Sequence, residues 1–129
     1  MLLNLNTFSI ENFVLSAECS LPDGSHSFGC YLLSVVNGKV HRIHVRLSEF
    51  YSRGDVFTGE LLLGNRYLSI NDGMQPEQIK ALFSNHIEHW DDGVEVNYQY
   101  LVDGIELEFS WHYLGKKLIA NYIVLEIES

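Results

Sequence analysis

Apolar and polar residues alternate along most of this chain, and a period of two is the signature of strands. "SFGCYLLSVV" (27–36) and "KVHRIHVRL" (39–47) flank Asn37-Gly38, a dipeptide suited to tight hairpin turns. A two-residue turn there pairs Val36 with Lys39, and the ladder continues as Leu32 with Ile43, Cys30 with Val45 and Phe28 with Leu47. Those pairs predict one apolar face. The reverse face then sets Leu33, Tyr31 and Gly29 against Arg42, His44 and Arg46. "DVFTGELLLG" and "RYLSIN" predict a second hairpin at Gly64-Asn65, and "FSIENFVLSAECSL" (8–21) predicts one more strand.

The C-terminal third reads as a meander. "VEVNYQYLV" and "IELEFSWHYL" flank Asp103-Gly104, which pairs Val102 with Ile105. Tyr100 then faces Leu107, Tyr98 faces Phe109 and Val96 faces Trp111, an aromatic core face. Gln99 with Glu108, Asn97 with Ser110 and Glu95 with His112 form the polar reverse. "GKK" leads into "LIANYIVLEIE". A three-residue loop sets Tyr113 opposite Ile119, Phe109 opposite Ile123 and Leu107 opposite Leu125; a two-residue turn shifts every pair by one.

One segment has helical spacing. Pro76 suits a first turn with Glu77 beside it, and Ile79, Leu82, Phe83, His86, Ile87 and Trp90 form a stripe closed by Gly93. Asp91 and Asp92 would end that helix, where its dipole disfavours negative charge. The expected fold is α+β: a mostly antiparallel sheet of about seven or eight strands with one main helix packed on one face. With 129 residues and no linker or repeat, residues 1–129 read as a single domain.

Charge sharpens this picture. Formal net charge is −9, which argues against nucleic acid as a partner. Residues 72–112 hold nine acids and one base, whereas 1–71 hold six acids and five bases. The acidity therefore belongs to one segment, a pattern that speeds encounter with a basic partner or simply maintains solubility. Arg42 and Arg46 offer a third outcome, neutralisation within the folded sheet. No apolar run approaches the roughly 20 residues of a membrane helix. "MLLNLNTF" has no basic n-region, so a cytoplasmic chain with reduced Cys19 and Cys30 is expected.

Candidate chemistry is sparse. Glu95, Glu106 and Glu108 share a predicted face, but a catalytic acid needs a cleft to raise its pKa, and a flat solvated face is the plainer reading. "DDGVE" and "DGIELE" have calcium-loop residue types without the ligand spacing. His86 and His89 lack partners for a zinc set, and His86 falls in the apolar stripe; His41 and His44 differ in strand parity. There is no nucleophile elbow and no glycine-rich phosphate loop. The triplet Arg53-Gly54-Asp55 has no adhesion role to play in a cytosolic chain. No cofactor, metal or catalytic residue is assigned.

The chain resembles the small immunity proteins of bacterial polymorphic-toxin systems, especially those of contact-dependent growth inhibition. The likeness is that of a short acidic α+β chain without a cofactor motif, closing in a run such as "DGIELEFSWHYLGKKLIANYIVLEI". It implies a non-enzymatic protein that binds a toxin domain of a secreted protein, such as a basic nuclease, and occludes its active site. Asp91, Asp92, Glu95, Glu106 and Glu108 are the expected contacts. Two alternatives stand beside it: a small-molecule site lined by Trp90, Tyr98 and Trp111 between helix and sheet, and a non-catalytic subunit of a larger assembly.

Overall fold

The computed structural model describes residues 1–51, 53–83 and 87–128. It is a sheet-rich fold with a minor helix. The strands are β1 (Leu2–Asn4), β2 (Ser9–Ile10), β3 (Phe13–Val14), β4 (Gly24–Ser27), β5 (Tyr31–Val36), β6 (Lys39–Arg46), β7 (Gly59–Leu63) and β8 (Arg66–Ile70). After helix α1 (Pro76–Lys80) come β9 (Glu88–Asp91), β10 (Glu95–Val102), β11 (Ile105–Leu114) and β12 (Lys117–Ile127). They form two sheets rather than one, ordered β3-β2-β1-β7-β8 and β4-β5-β6-β12-β11-β10-β9. Pairing is antiparallel except where β1 runs parallel to β7, with Leu3 opposite Leu61. The single strand expected over 8–21 is instead the two short strands β2 and β3.

Turn chemistry sets the hairpins. Asn37 and Gly38 both have positive φ (53° and 75°), as do Asp103 and Gly104 (51° and 78°), the combination that matches strand twist. Asp23 braces the first turn by accepting the N–H groups of Asn37 and Gly38, each at 2.9 Å. The β10–β11 ladder has the expected register throughout, from Val102–Ile105 to Glu95–His112. The β7–β8 hairpin closes at Leu63–Arg66, around Gly64-Asn65.

Two bulges alter the other ladders. In β5–β6 the pairs Val36–Lys39 and Val35–Val40 are followed by Ser34–Arg42, so His41 is the extra residue. One inserted residue flips every later side chain to the other face. Tyr31 and Leu33, not Cys30 and Leu32, therefore meet Val45 and Ile43, and Phe28 is left exposed, while Cys30 is buried in the core all the same. Arg42 and His44 stand opposite Ser34 and Leu32. In β11–β12 the turn has two residues (Leu114–Lys117), and Tyr113 meets Leu118, not Ile119. A bulge at Asn121 then restores the expected Phe109–Ile123 and Leu107–Leu125.

The core draws on both sheets. Leu3, Ile10, Leu61 and Ile70 join Tyr31, Leu33, Ile43, Tyr100, Phe109, Trp111 and Ile123 in one hydrophobic cluster. Trp111 is fully buried, and its Nε1 donates to Met74 O at 2.7 Å, tying the segment before α1 to the large sheet.

The expected long helix is five residues. Pro76 opens it, Glu77 lies in its first turn and Ile79 is buried, but it ends at Lys80. Glu88–Asp91 is an edge strand on β10, leaving Ile87 and Trp90 more than 45% exposed, at 59% and 49%. A stripe at i, i+3 and i+4 costs little to break where strand pairing offers the same backbone its hydrogen bonds. His86 lies outside the described residues.

Candidate functional site: the outer face of the seven-stranded sheet

Residues directly opposite in a ladder share a face. One row across the large sheet therefore reads Ser34, Arg42, Glu126, Glu106, Leu101. The next reads Leu32, His44, Val124, Glu108, Gln99, Glu88, and a third Arg46, Tyr122, Ser110, Asn97, Trp90. The outer face is thus basic along β6 and acidic along β11, with β12 between them.

Segment 48–51 lies over part of this face. The Phe50 ring stacks on His112 with centroids 3.9 Å apart, and the Tyr51 ring lies 5.8 Å from that of Tyr122. Beneath it the bulge residue Asn121 joins two neighbours: its Oδ1 meets His112 Nδ1, and its Nδ2 donates to Ser110 Oγ at 3.3 Å. These three side chains are buried, and their mutual bonds satisfy much of their polarity.

The five predicted carboxylates do not form one cluster. Asp91 and Asp92 lie in β9 and the turn that follows, not at a helix end, so no conflict with a helix dipole arises. Asp91 accepts the Tyr113 hydroxyl at 2.8 Å and the Gly93 N–H at 3.0 Å, which hold its carboxyl below the ordinary 3.8. Asp92 accepts the N–H groups of Glu95 (2.7 Å) and Val94 (2.9 Å), with the same effect. Glu95 accepts the Tyr51 hydroxyl.

Glu108 accepts Tyr122 Oη at 2.6 Å, Asn97 Nδ2 at 3.1 Å and Gln99 Nε2 at 3.4 Å. Burial, and then this carboxylate, push the Tyr122 hydroxyl up to about 12. Glu106 differs from these four. It is exposed and stands directly opposite Glu126.

The two arginines have different tasks. Arg42 Nε lies 3.7 Å from Glu126 Oε2. Arg46 is 8% exposed, and its Nη1 donates to Gly29 O (2.9 Å) and Asp55 O (3.2 Å), fixing the loop that carries Gly54 and Asp55. Glu126, Tyr51 and Tyr122 were not singled out by sequence reasoning. Period-two parity along 118–128 was a usable signal for Glu126 and Tyr122; nothing local marks Tyr51.

The aromatic trio suggested as a ligand pocket is divided. Trp111 and Tyr98 pack edge to face in the core, 6.0 Å apart, while Trp90 stands on the outer face opposite Asn97. Among the described residues no three His, Cys, Asp or Glu side chains converge on a point that would hold a metal ion. No helix among them is long and apolar enough to cross a membrane. No protein-family model, curated protein or solved structure matches this chain.

Proposed function

We infer that this protein is a non-catalytic binding module that neutralises a basic protein by stoichiometric occlusion, acting as an immunity protein against a toxin domain. The observation that carries the reading is the Glu106–Glu126 juxtaposition. Like charges directly opposite on neighbouring strands weaken a sheet. Glu126 has Arg42 nearby, but that one guanidinium stands beside Glu126 on β6, two strands from Glu106. A cation brought by a partner would relieve the repulsion, and Leu101 beside Glu106, 44% exposed, adds an apolar contact. Asp91, Asp92, Glu95 and Glu108 already hold turns and hydroxyls within the chain. In this reading they supply the long-range field that steers the partner, and Glu106 with Glu126 forms the contact.

The test is protection. The chain is co-expressed with the C-terminal domain of a secreted protein encoded next to it, and survival, co-purification and association rate are measured. Protection should accompany a complex whose association slows as salt rises, and Glu106→Lys should slow it further. Cells that die despite a folded chain would refute the inhibitor reading. Protection with an association rate indifferent to salt and to Glu106→Lys would refute the acidic-face contact alone.

A further inference from the structure

Beside the acidic half of the outer face lies a concavity of opposite character. It measures about 290 Å³ and is walled by β4, β5 and β6 on one side and Tyr51 on the other. Ser25, Ser34 and Arg42 follow one another across the three strands, and Leu32 and His44 form the next row. Arg46 closes one end, its guanidinium oriented by two backbone carbonyls. In a chain of net charge −9, this lining carries two arginines and no carboxylate.

Three observations identify what would fill it. Arg42 Nε is buried without a hydrogen-bond partner, because Glu126 at 3.7 Å is at ion-pair distance but too far to accept its proton. That nitrogen is itself sealed from the concavity, but the Arg42 side chain as a whole is 41% exposed and lines it, so the guanidinium charge can meet an acceptor there. The planar guanidinium fork matches two oxygens of a carboxylate or phosphate, and the Ser25 and Ser34 hydroxyls stand in the same row as further donors. The volume lies just below that of ligand cavities, which run from about 300 Å³, and suits a small molecule rather than a chain segment. Distant carboxylates oppose an anion only weakly, since salt screens exposed charges beyond about 8 Å. Three carboxylates are near: Glu126 beside Arg42, which an entering anion would displace, Glu95 bonded to the Tyr51 hydroxyl, and Glu108, whose field reaches His44.

We propose that this concavity binds a small oxyanion, a carboxylate or phosphate group, held by Arg42 with the Ser25 and Ser34 hydroxyls as additional donors. The site adjoins the proposed partner contact through Glu126, but neither its argument nor its test uses the toxin-binding reading. His44 reports on it. Burial, then Arg42 and Arg46, push the imidazole down to about 4, while Glu108 opposes them, and the Tyr122 ring stacks on it at 5.0 Å. An anion beside Arg42 offsets the arginines and moves the His44 ring resonances even while the ring stays neutral.

The experiment titrates the protein near neutral pH with sodium phosphate and, separately, sodium acetate. Sodium chloride holds ionic strength constant, and the His44 ring is followed by NMR. Saturable movement is expected with at least one probe. Arg42→Gln should weaken it about tenfold or more, the loss expected for a charge-assisted hydrogen bond. Lys116→Gln, in the β11–β12 turn, should leave it unchanged. Tighter phosphate assigns a phosphate ester as the ligand, and tighter acetate an organic acid. Shifts that never saturate with either probe, or that Arg42→Gln leaves as they were while the Trp111 indole resonance shows the fold intact, overturn the proposal.

Discussion

Glu106→Lys should stabilise the free protein while weakening its complex. Opposite residues on neighbouring strands have Cβ atoms about 5 Å apart, which puts the charged ends of residues 106 and 126 roughly 6 Å from each other. Two unit charges at ~6 Å in water interact by about 0.7 kcal/mol. Exchanging repulsion for attraction doubles that to about 1.4 kcal/mol, and a Debye length of about 8 Å cuts it to about 0.6 kcal/mol at physiological salt. The new lysine also meets Arg42 two strands away, about 10 Å by strand spacing, which takes back about 0.2 kcal/mol.

The net gain is about 0.4 kcal/mol, or about 2 °C in Tm for a chain of this size. At 1 M salt the Debye length falls to about 3 Å and the gain should shrink below about 0.2 kcal/mol. Differential scanning calorimetry of the wild type, Glu106→Lys and Glu106→Gln at low and high salt reads all of this, with glutamine giving about half the gain. A destabilised lysine variant, or a gain that survives 1 M salt, would refute the electrostatic reasoning. A stabilised variant that also loses its partner would show the carboxylate is retained for binding at the expense of the fold.

Two further outcomes follow from the structure. Trp111→Phe removes the bond to Met74 O and part of a fully buried ring, and should cost about 2–4 kcal/mol in urea denaturation, whereas Trp90→Phe, at 49% exposure, should cost under about 0.5 kcal/mol; equal costs would remove the assigned tie between the pre-helix segment and the sheet. Asp23 is held below 3.8 by the Gly38 and then the Asn37 N–H, so the folded state binds its proton less tightly than the unfolded chain does. That contribution is present above the ordinary carboxyl value and lost as pH falls through the lowered one. Asp23→Asn should therefore lower Tm at neutral pH and converge on the wild type in acid, and a difference constant with pH would contradict the assignment.

Much of the candidate site could be read without coordinates where one turn governs it. The Asp103-Gly104 dipeptide favours positive φ at both positions, and that local preference carries the β10–β11 register from Val102–Ile105 to Glu95–His112. Glu106 and Glu108 on the outer face follow directly. Glu126 opposite Glu106 does not, because its partner depends on a turn of either two or three residues and on the bulge at Asn121. Both alternatives are realised, one in each half of the same hairpin.

The sequence by itself determined the abundance of strands, the three tight turns, the pairing beside the Asn37-Gly38 and Asp103-Gly104 turns and the concentration of carboxylates in one segment. These rest on φ preferences and on a period of two, both local properties of the chain. Tertiary structure decided the rest. Leu32 and Leu33 are both apolar, so only the bulge at His41 chose which of them faces the core, and so set Ser34 and Leu32 rather than Leu33 and Tyr31 beside Arg42 and His44. The stripe from Ile79 to Trp90 fits a helix on paper, but backbone groups of Glu88–Asp91 found partners on β10 instead. The parallel β1–β7 contact that builds a second sheet joins residues nearly sixty positions apart, a pairing that no local pattern encodes because its free energy exists only once the core is assembled.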